Sequence, residues 1–322
     1  MSKRKPLDAF FKPTESKKQR VKVSEENASK HKTYPYPVPQ LPDSIKDALG
    51  FCPATDGKEI NDQPDLDLLY FQPYVVKDIE RALFEFLRQE LFFYRVQYKI
   101  KRGPVETQIN TPRYTTVFGV DETSIFSEDG SLLDKSTKKP IPKDRYKCTP
   151  RPLPGCLDYL RTITEASTNE TYNFCLVNYY ANGSDSISYH SDDERFLGGN
   201  PAIASFSLGA RRDFLMKHKP VPPSSTEPPP PEAKPLKLPL ASGDMILMRG
   251  PTQSNWLHSI PKRKGGESER GRINITFRKA MVRGGTENYY QYNVGNGQPF
   301  RWDDVKKEMV PWSGVAEVDV SA

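Results

Sequence analysis

No run in this 322-residue chain comes near the roughly 20 consecutive apolar residues that a membrane-spanning helix requires, so a helical span is excluded. The opening Met1-Ser2-Lys3-Arg4-Lys5 has no apolar segment behind it, and no secretory signal is expected. Cysteine is scarce, and Cys52, Cys148, Cys156 and Cys175 form no Cys-x-x-Cys pair. That spacing argues against a thiolate zinc site and for free thiols in a reducing compartment. Histidine is equally scarce, so an imidazole metal site must be drawn from His31, His190, His218 and His258. No internal repeat is present. What the chain has in excess is proline, 30 residues, which implies much loop.

The net charge of +6 is unevenly placed. Residues 1–32 hold ten Lys and Arg against four Asp and Glu, so this arm accounts for the whole excess and the remainder is balanced. A cationic arm suits nuclear targeting or nucleic acid. Residues 1–63 lack sustained periodicity and are read as a disordered basic arm. Within it, Leu7, Phe10 and Phe11 resemble the box that docks on the PCNA sliding clamp, with Arg4 where that box has Gln. Lys17-Lys18-Gln19-Arg20-Val21-Lys22 fits a nuclear import signal or a merely solubilising charge run.

Residues 64–285 carry the periodic patterns, and 286–322 form a C-terminal tail rich in Tyr and Trp. Apolar residues at Ile79, Leu83, Phe86 and Leu87 predict a helix over 75–91, and Leu157, Leu160 and Ile163 another over 154–166. Residues 94–109 alternate around Arg102-Gly103-Pro104, which predicts a hairpin. Short strands follow at 174–179, 187–191, 203–208, 212–217, 245–248 and 273–279. Many short strands after initial helices make a mainly β fold, a sandwich or jelly roll with flanking helices. The Pro-rich stretch 219–239 lies between two strand candidates and reads as a surface loop insertion.

His190 and Asp192 carry the strongest chemical signal. Two residues apart on an extended strand, they point to one face and can offer an imidazole nitrogen and a carboxylate oxygen to one metal ion. His258, on another strand, would complete a triad of two His and one carboxylate, the donor set of non-haem Fe(II) sites. Alone, either histidine is more often structural than a ligand. His218 is assigned a structural role. Arg272, Asn274, Thr276 and Arg278 share one strand face, and buried arginines need an anionic partner. A dicarboxylate matches that need, as would a structural Asp or Glu.

These motifs resemble the AlkB family of Fe(II)- and 2-oxoglutarate-dependent dioxygenases, most of all its eukaryotic DNA-repair members. The family pattern Asn-x-Tyr-x-x-Gly-x-Asp-x-Ile-x-x-His-x-Asp is met by Asn178, Tyr180, Gly183, Asp185, Ile187, His190 and Asp192. Arg-x-Asn-x-Thr-Phe-Arg is met at 272–278, and His258-Ser259-Ile260-Pro261 also corresponds. The resemblance implies a double-stranded β-helix core. It also implies Fe(II) on His190, Asp192 and His258. The distal carboxylate of 2-oxoglutarate would lie on Asn178, Tyr180 and Arg272, and Arg278 would assist at the inner end. With O2, the co-substrate would yield succinate and carbon dioxide, and an N-methyl group would leave as formaldehyde.

The implied substrate is an N-alkylated base, 1-methyladenine or 3-methylcytosine, in DNA. Phe126 would stack on the flipped base and Asp193 would meet its exocyclic amine. Lys99, Lys101 and Arg102 on the hairpin, and Arg113 in the segment after it, would lie near the nucleic acid. The implied setting is the nucleus, with the chain a monomer, no membrane partner and the sliding clamp a possible partner. The same chemistry on RNA is a second reading. A catalytically idle clamp- or nucleic-acid-binding adaptor is a third, which would have no need of the intact triad and both arginines.

Overall fold

The computed structural model describes residues 28–95, 97–142, 144–146, 149–220, 233–281 and 297–314. The chain enters through β1 (Ala28–Ser29), β2 (Val38–Pro39), α1 (Asp43–Leu49), β3 (Lys58–Ile60) and β4 (Leu68–Phe71). This corrects the expectation of disorder as far as residue 63. Tyr34, Tyr36, Val38, Leu41, Ile45 and Leu49 are buried in the main core. Their spacing follows no single period because each is anchored separately; the Tyr34 hydroxyl, for example, donates to the Pro152 carbonyl at 2.5 Å. Burying one such side chain contributes about 1.5–3 kcal/mol, which offsets the ordering of a Pro-rich segment. Leu7, Phe10, Phe11 and the basic run at 17–22 lie outside the described residues.

Helix α2 (Lys77–Glu90) forms where the apolar spacing places it, and buries Leu83, Phe84 and Leu87. Asp78 and Glu80 in its first turn and Arg88 in its last complement the helix dipole. Next come β5 (Phe93–Tyr94) and the hairpin of β6 (Gln97–Arg102) and β7 (Val105–Asn110). Strand β8 (Tyr114–Gly119) is buried along its whole length, so its sequence shows no alternation. A small hairpin pairs β9 (Ser124–Phe126) with β10 (Leu132–Asp134). Helix α3 (Gly155–Thr168) stops at Asn169, whose left-handed φ of 56° ends the turn.

The rest is strand-rich: β11 (Phe174–Tyr180), β12 (Ile187–His190), β13 (Ile203–Gly209), β14 (Arg212–His218), β15 (Leu236–Leu240) and β16 (Met245–Met248). The one-turn helix α4 (Thr252–Asn255) leads into β17 (Trp256–Ile260), followed by β18 (Arg272–Arg278), β19 (Pro299–Asp303) and β20 (Glu308–Pro311). Two sheets make a double-stranded β-helix. The larger runs β20-β19-β5-β8-β11-β18-β13-β16-β4-β3, and the smaller β12-β17-β14-β15.

Two boundaries differ from expectation. The Pro-rich insertion ends earlier, because Leu236–Leu240 pairs with β14. Pro239 is tolerated there because β15 is an edge strand that can spare a donor. The C-terminal tail is not all tail: β19 and β20 extend the large sheet through β5. Among the described residues no helix is long and apolar enough to cross a membrane.

Candidate active site

Strand β11 carries the chain into a tight turn that aims β12. The Asp185 carboxylate accepts the Ala181 N–H at 2.8 Å. Gly183 lies so close to Arg263 that a Cβ there would stand 2.0 Å from its carbonyl oxygen. These two motif residues are therefore architectural. Past the turn, β12 runs antiparallel to β17 with His190 directly opposite His258. The strand ends at His190, so Asp192 reaches the same spot from irregular backbone rather than from the strand face.

The ligand atoms of His190, Asp192 and His258 all lie within 4.8 Å of one another. The Asp192 carboxylate stands 3.9 Å from His190 Nε2 and 3.7 Å from His258 Nε2. His190 Nδ1 lies 2.8 Å from the Ser188 carbonyl. A carbonyl only accepts, so Nδ1 carries the proton and the Nε2 lone pair faces the cluster. The His258 ring stacks on Phe214, with centroids 5.2 Å apart. Burial, reinforced by His190, pushes the His258 imidazole down to about 3, so it is neutral and able to ligate. Burial alone would raise the Asp192 carboxyl; Arg278, His258 and His190 outweigh it and hold the group below the usual range. Arg278 Nη2 lies 3.1 Å from Asp192 and Nη1 3.4 Å from Glu194.

Beside the triad lies a cavity of about 120 Å³, well above the roughly 10–15 Å³ one water needs. Asn178, Tyr180, Arg272, Asn274 and Thr276 line one wall, because β11 and β18 pair Asn178 with Asn274 and Tyr180 with Arg272. Asn178 Oδ1 accepts from the Thr115 hydroxyl at 2.9 Å. Asn274 Nδ2 donates to Ser205 Oγ and the Phe206 carbonyl. Arg272 is 1% exposed and donates through Nη2 to Ser207 Oγ at 2.7 Å. Its Nε and Nη1 have no hydrogen-bond partner among the described residues, and burial pushes the guanidinium down to about 10. An uncompensated buried cation of this kind is a fit for a carboxylate. Two imidazoles, one carboxylate and an anion-seeking guanidinium in one cavity suit Fe(II) and a 2-oxo dicarboxylate.

The triad, Asn178, Tyr180, Arg272, Arg278 and Arg113 meet at this cavity. Phe126 does not line it: the ring sits edge-on to His31 at 5.9 Å on the β9–β10 hairpin. Asp193 turns outward to Lys219 at 2.7 Å, and Glu194 lines the cavity instead. Lys99, Lys101 and Arg102 run along β6, with Lys101 exposed. His218 lies 3.2 Å from Asp65 and does not line the cavity. Sequence reasoning missed Phe214 and Gln253, whose side chain accepts the Asp192 N–H. Nothing in Thr252-Gln253-Ser254-Asn255 signals that bond.

A family model described as the 2OG-Fe(II) oxygenase superfamily matches residues 67–278. The DNA oxidative demethylase ALKBH2 of Homo sapiens is 40% identical over 134 residues, 42% of this chain and 49% of that protein. The alpha-ketoglutarate-dependent dioxygenase alkB homolog 3 of Mus musculus is 39% identical over 141 residues, 43% of this chain and 48% of that protein. The ALKBH2 of Arabidopsis thaliana is 40% identical over 141 residues, covering 40% and 44%. The chain spans about half the length of the curated relatives it matches.

Proposed function

Because the chain belongs to the 2OG-Fe(II) oxygenase superfamily, we propose that it is an oxidative demethylase of N-alkylated bases in DNA, with 1-methyladenine and 3-methylcytosine as substrates. The observation that carries this reading is one cavity holding both the two-His, one-Asp cluster and a buried guanidinium without its anion. The activities named for the relatives support the choice of substrate.

His190, Asp192 and His258 would hold Fe(II). Arg272, Asn178 and Tyr180 would hold the distal carboxylate of 2-oxoglutarate. Once bound, these groups and O2 would supply the oxidising power: the 2-oxo acid would lose carbon dioxide and take up one oxygen atom to become succinate, and the other oxygen atom would enter a C–H bond of the N-methyl group. The protein's own side chains position and neutralise. The Ser188 carbonyl fixes the His190 tautomer, and the stacked ring of Phe214 fixes the orientation of the His258 ring. Arg278 offsets the charge of Asp192 and Glu194. The hydroxymethyl group then leaves as formaldehyde; its O–H proton is lost and the N–C electron pair returns to the ring nitrogen.

The methyl group is inaccessible in a paired stack, so the base must be flipped or single-stranded. Glu194 lines the cavity while Asp193 is held by Lys219, which supports Glu194 as the carboxylate that meets the exocyclic amine. Phe126, on the β9–β10 hairpin, would stack on the base. Lys99, Lys101, Arg102 and Arg113 would meet phosphates. The cationic arm supports a nuclear setting. Leu7, Phe10 and Phe11 support docking on the sliding clamp, and the clamp in turn favours DNA over RNA. The Phe10→Ala, Phe11→Ala double variant should lose clamp affinity and keep turnover on free oligonucleotides; unchanged affinity ends the docking idea.

The deciding experiment offers 3-methylcytosine in single-stranded DNA, duplex DNA and RNA to protein charged with Fe(II), 2-oxoglutarate, ascorbate and oxygen. Base reversion and formaldehyde are expected on DNA and abolished by His190→Ala. Bound iron with no turnover on any strand would sink the proposal, and turnover on RNA alone would redirect it.

A further inference from the structure

A buried carboxamide ties together the two segments that carry the cluster. The β12–β17 ladder is registered at Ile187↔Ile260 and His190↔His258, with an irregularity between. Asp192 lies beyond the ladder yet is only 4% exposed, where a backbone amide needs a partner. Gln253 provides one: its Oε1 accepts the Asp192 N–H at 2.9 Å. Gln253 is itself 1% exposed, and its Nε2 donates to Met248 Sδ at 3.1 Å, so the carboxamide is held from both ends.

A second tie lies next to the first. Lys219 Nζ donates to Asp193 Oδ2 at 2.7 Å and to the Gln253 carbonyl at 3.2 Å. Both ties end on α4, which runs directly into β17 and His258. The helix is itself anchored: Thr252 Oγ1 accepts the Asp67 N–H at 2.9 Å and donates to the Asp67 carbonyl at 3.1 Å. Neither Gln253 nor Lys219 lines the cavity.

We propose that Gln253, assisted by Lys219, is a positioning residue for the metal centre, holding Asp192 in place against His258 before any metal arrives. The inference rests on the reading of His190, Asp192 and His258 as a metal site. Its action is to preorganise a ligand through the ligand's main chain. Loss of such a support characteristically weakens metal binding by about 10–100-fold.

The test is a Mn(II) titration of metal-free full-length protein, followed by the electron paramagnetic resonance of free Mn(II). Gln253→Met should weaken binding about 10–100-fold. Gln253→Glu keeps an acceptor oxygen at the same reach and should stay much nearer the wild-type affinity. At saturating metal the 2-oxoglutarate KM should not move in either variant. Wild-type Mn(II) affinity in Gln253→Met, or equal losses in both variants, overturns the proposal. Should Gln253→Met fail to fold by circular dichroism, Lys219→Met decides: weaker binding supports the tie and unchanged binding overturns it. A wild-type protein that binds no Mn(II) would instead sink the metal-site reading beneath it.

Discussion

Arg272 shows at the scale of one residue what its proposed role costs the fold. A guanidinium buried without a counter-anion destabilises the protein that holds it. Arg272→Met should therefore leave the melting temperature of the ligand-free protein unchanged or raised, while 2-oxoglutarate affinity falls by about 30-fold or more. The latter follows from the roughly 2–5 kcal/mol that truncating one partner of a buried charge pair costs. Scanning calorimetry and a 2-oxoglutarate titration read the two effects; a lower melting temperature with unchanged affinity would overturn the assignment. The grouping of Arg272 with the two His and Asp192 at one cavity was legible in the sequence, because the proposed metal ligation and carboxylate binding need particular residue types at particular spacings. Asp193 and Glu194 were not separable in the same way. Which of two adjacent carboxylates turns inward depends on the backbone path beyond the end of β12. Gln253 left no sequence signal at all, since its partner is a main-chain amide that every residue but proline has.

Among the elements, helices α2 and α3 and strands β11, β13 and β16 were readable because one face or the whole strand is apolar. Strand β17 was harder, for Trp256-Leu257-His258-Ser259-Ile260 mixes core residues with a candidate ligand. The N-terminal strands were hidden by proline and by anchoring that follows no period. Pairing of β4 with β16 is reinforced by a buried side-chain bond, from the Tyr70 hydroxyl to Asp244 Oδ2 at 2.6 Å. Burial raises the Asp244 carboxyl above its ordinary value, against the pull of Tyr70 and the Ala241 N–H. Its folded form then binds a proton more tightly than the unfolded chain does. Its contribution to stability therefore falls as pH rises from the unfolded value to the folded one, and is constant above. Glu80, also raised by burial, feels Asp244 as a like charge. Asp244→Asn keeps an acceptor oxygen and removes the charge. Urea unfolding at a series of pH values from 4 to 7 should show the variant gaining on wild type as pH rises; a difference that stays flat would contradict this origin.

For the molecule as a whole, the two-sheet architecture followed from the count of short strands, but the width of the large sheet did not. Both its outer edges come from stretches outside the expected domain, β3 in the arm read as disordered and β19–β20 in the C-terminal tail. Its middle is built from distant sequence. Strand β18 lies between β11 and β13, pairing Arg278 with Phe174 and Phe277 with Ala204. During synthesis, β11 and β13 both leave the ribosome before β18 exists, so a nascent chain that has emerged only to Gly271 has two flanks and no centre. Contacts of such long range form slowly. The core can therefore close only once Arg272–Arg278 has emerged, and the two cavity-lining arginines arrive on its last central strand.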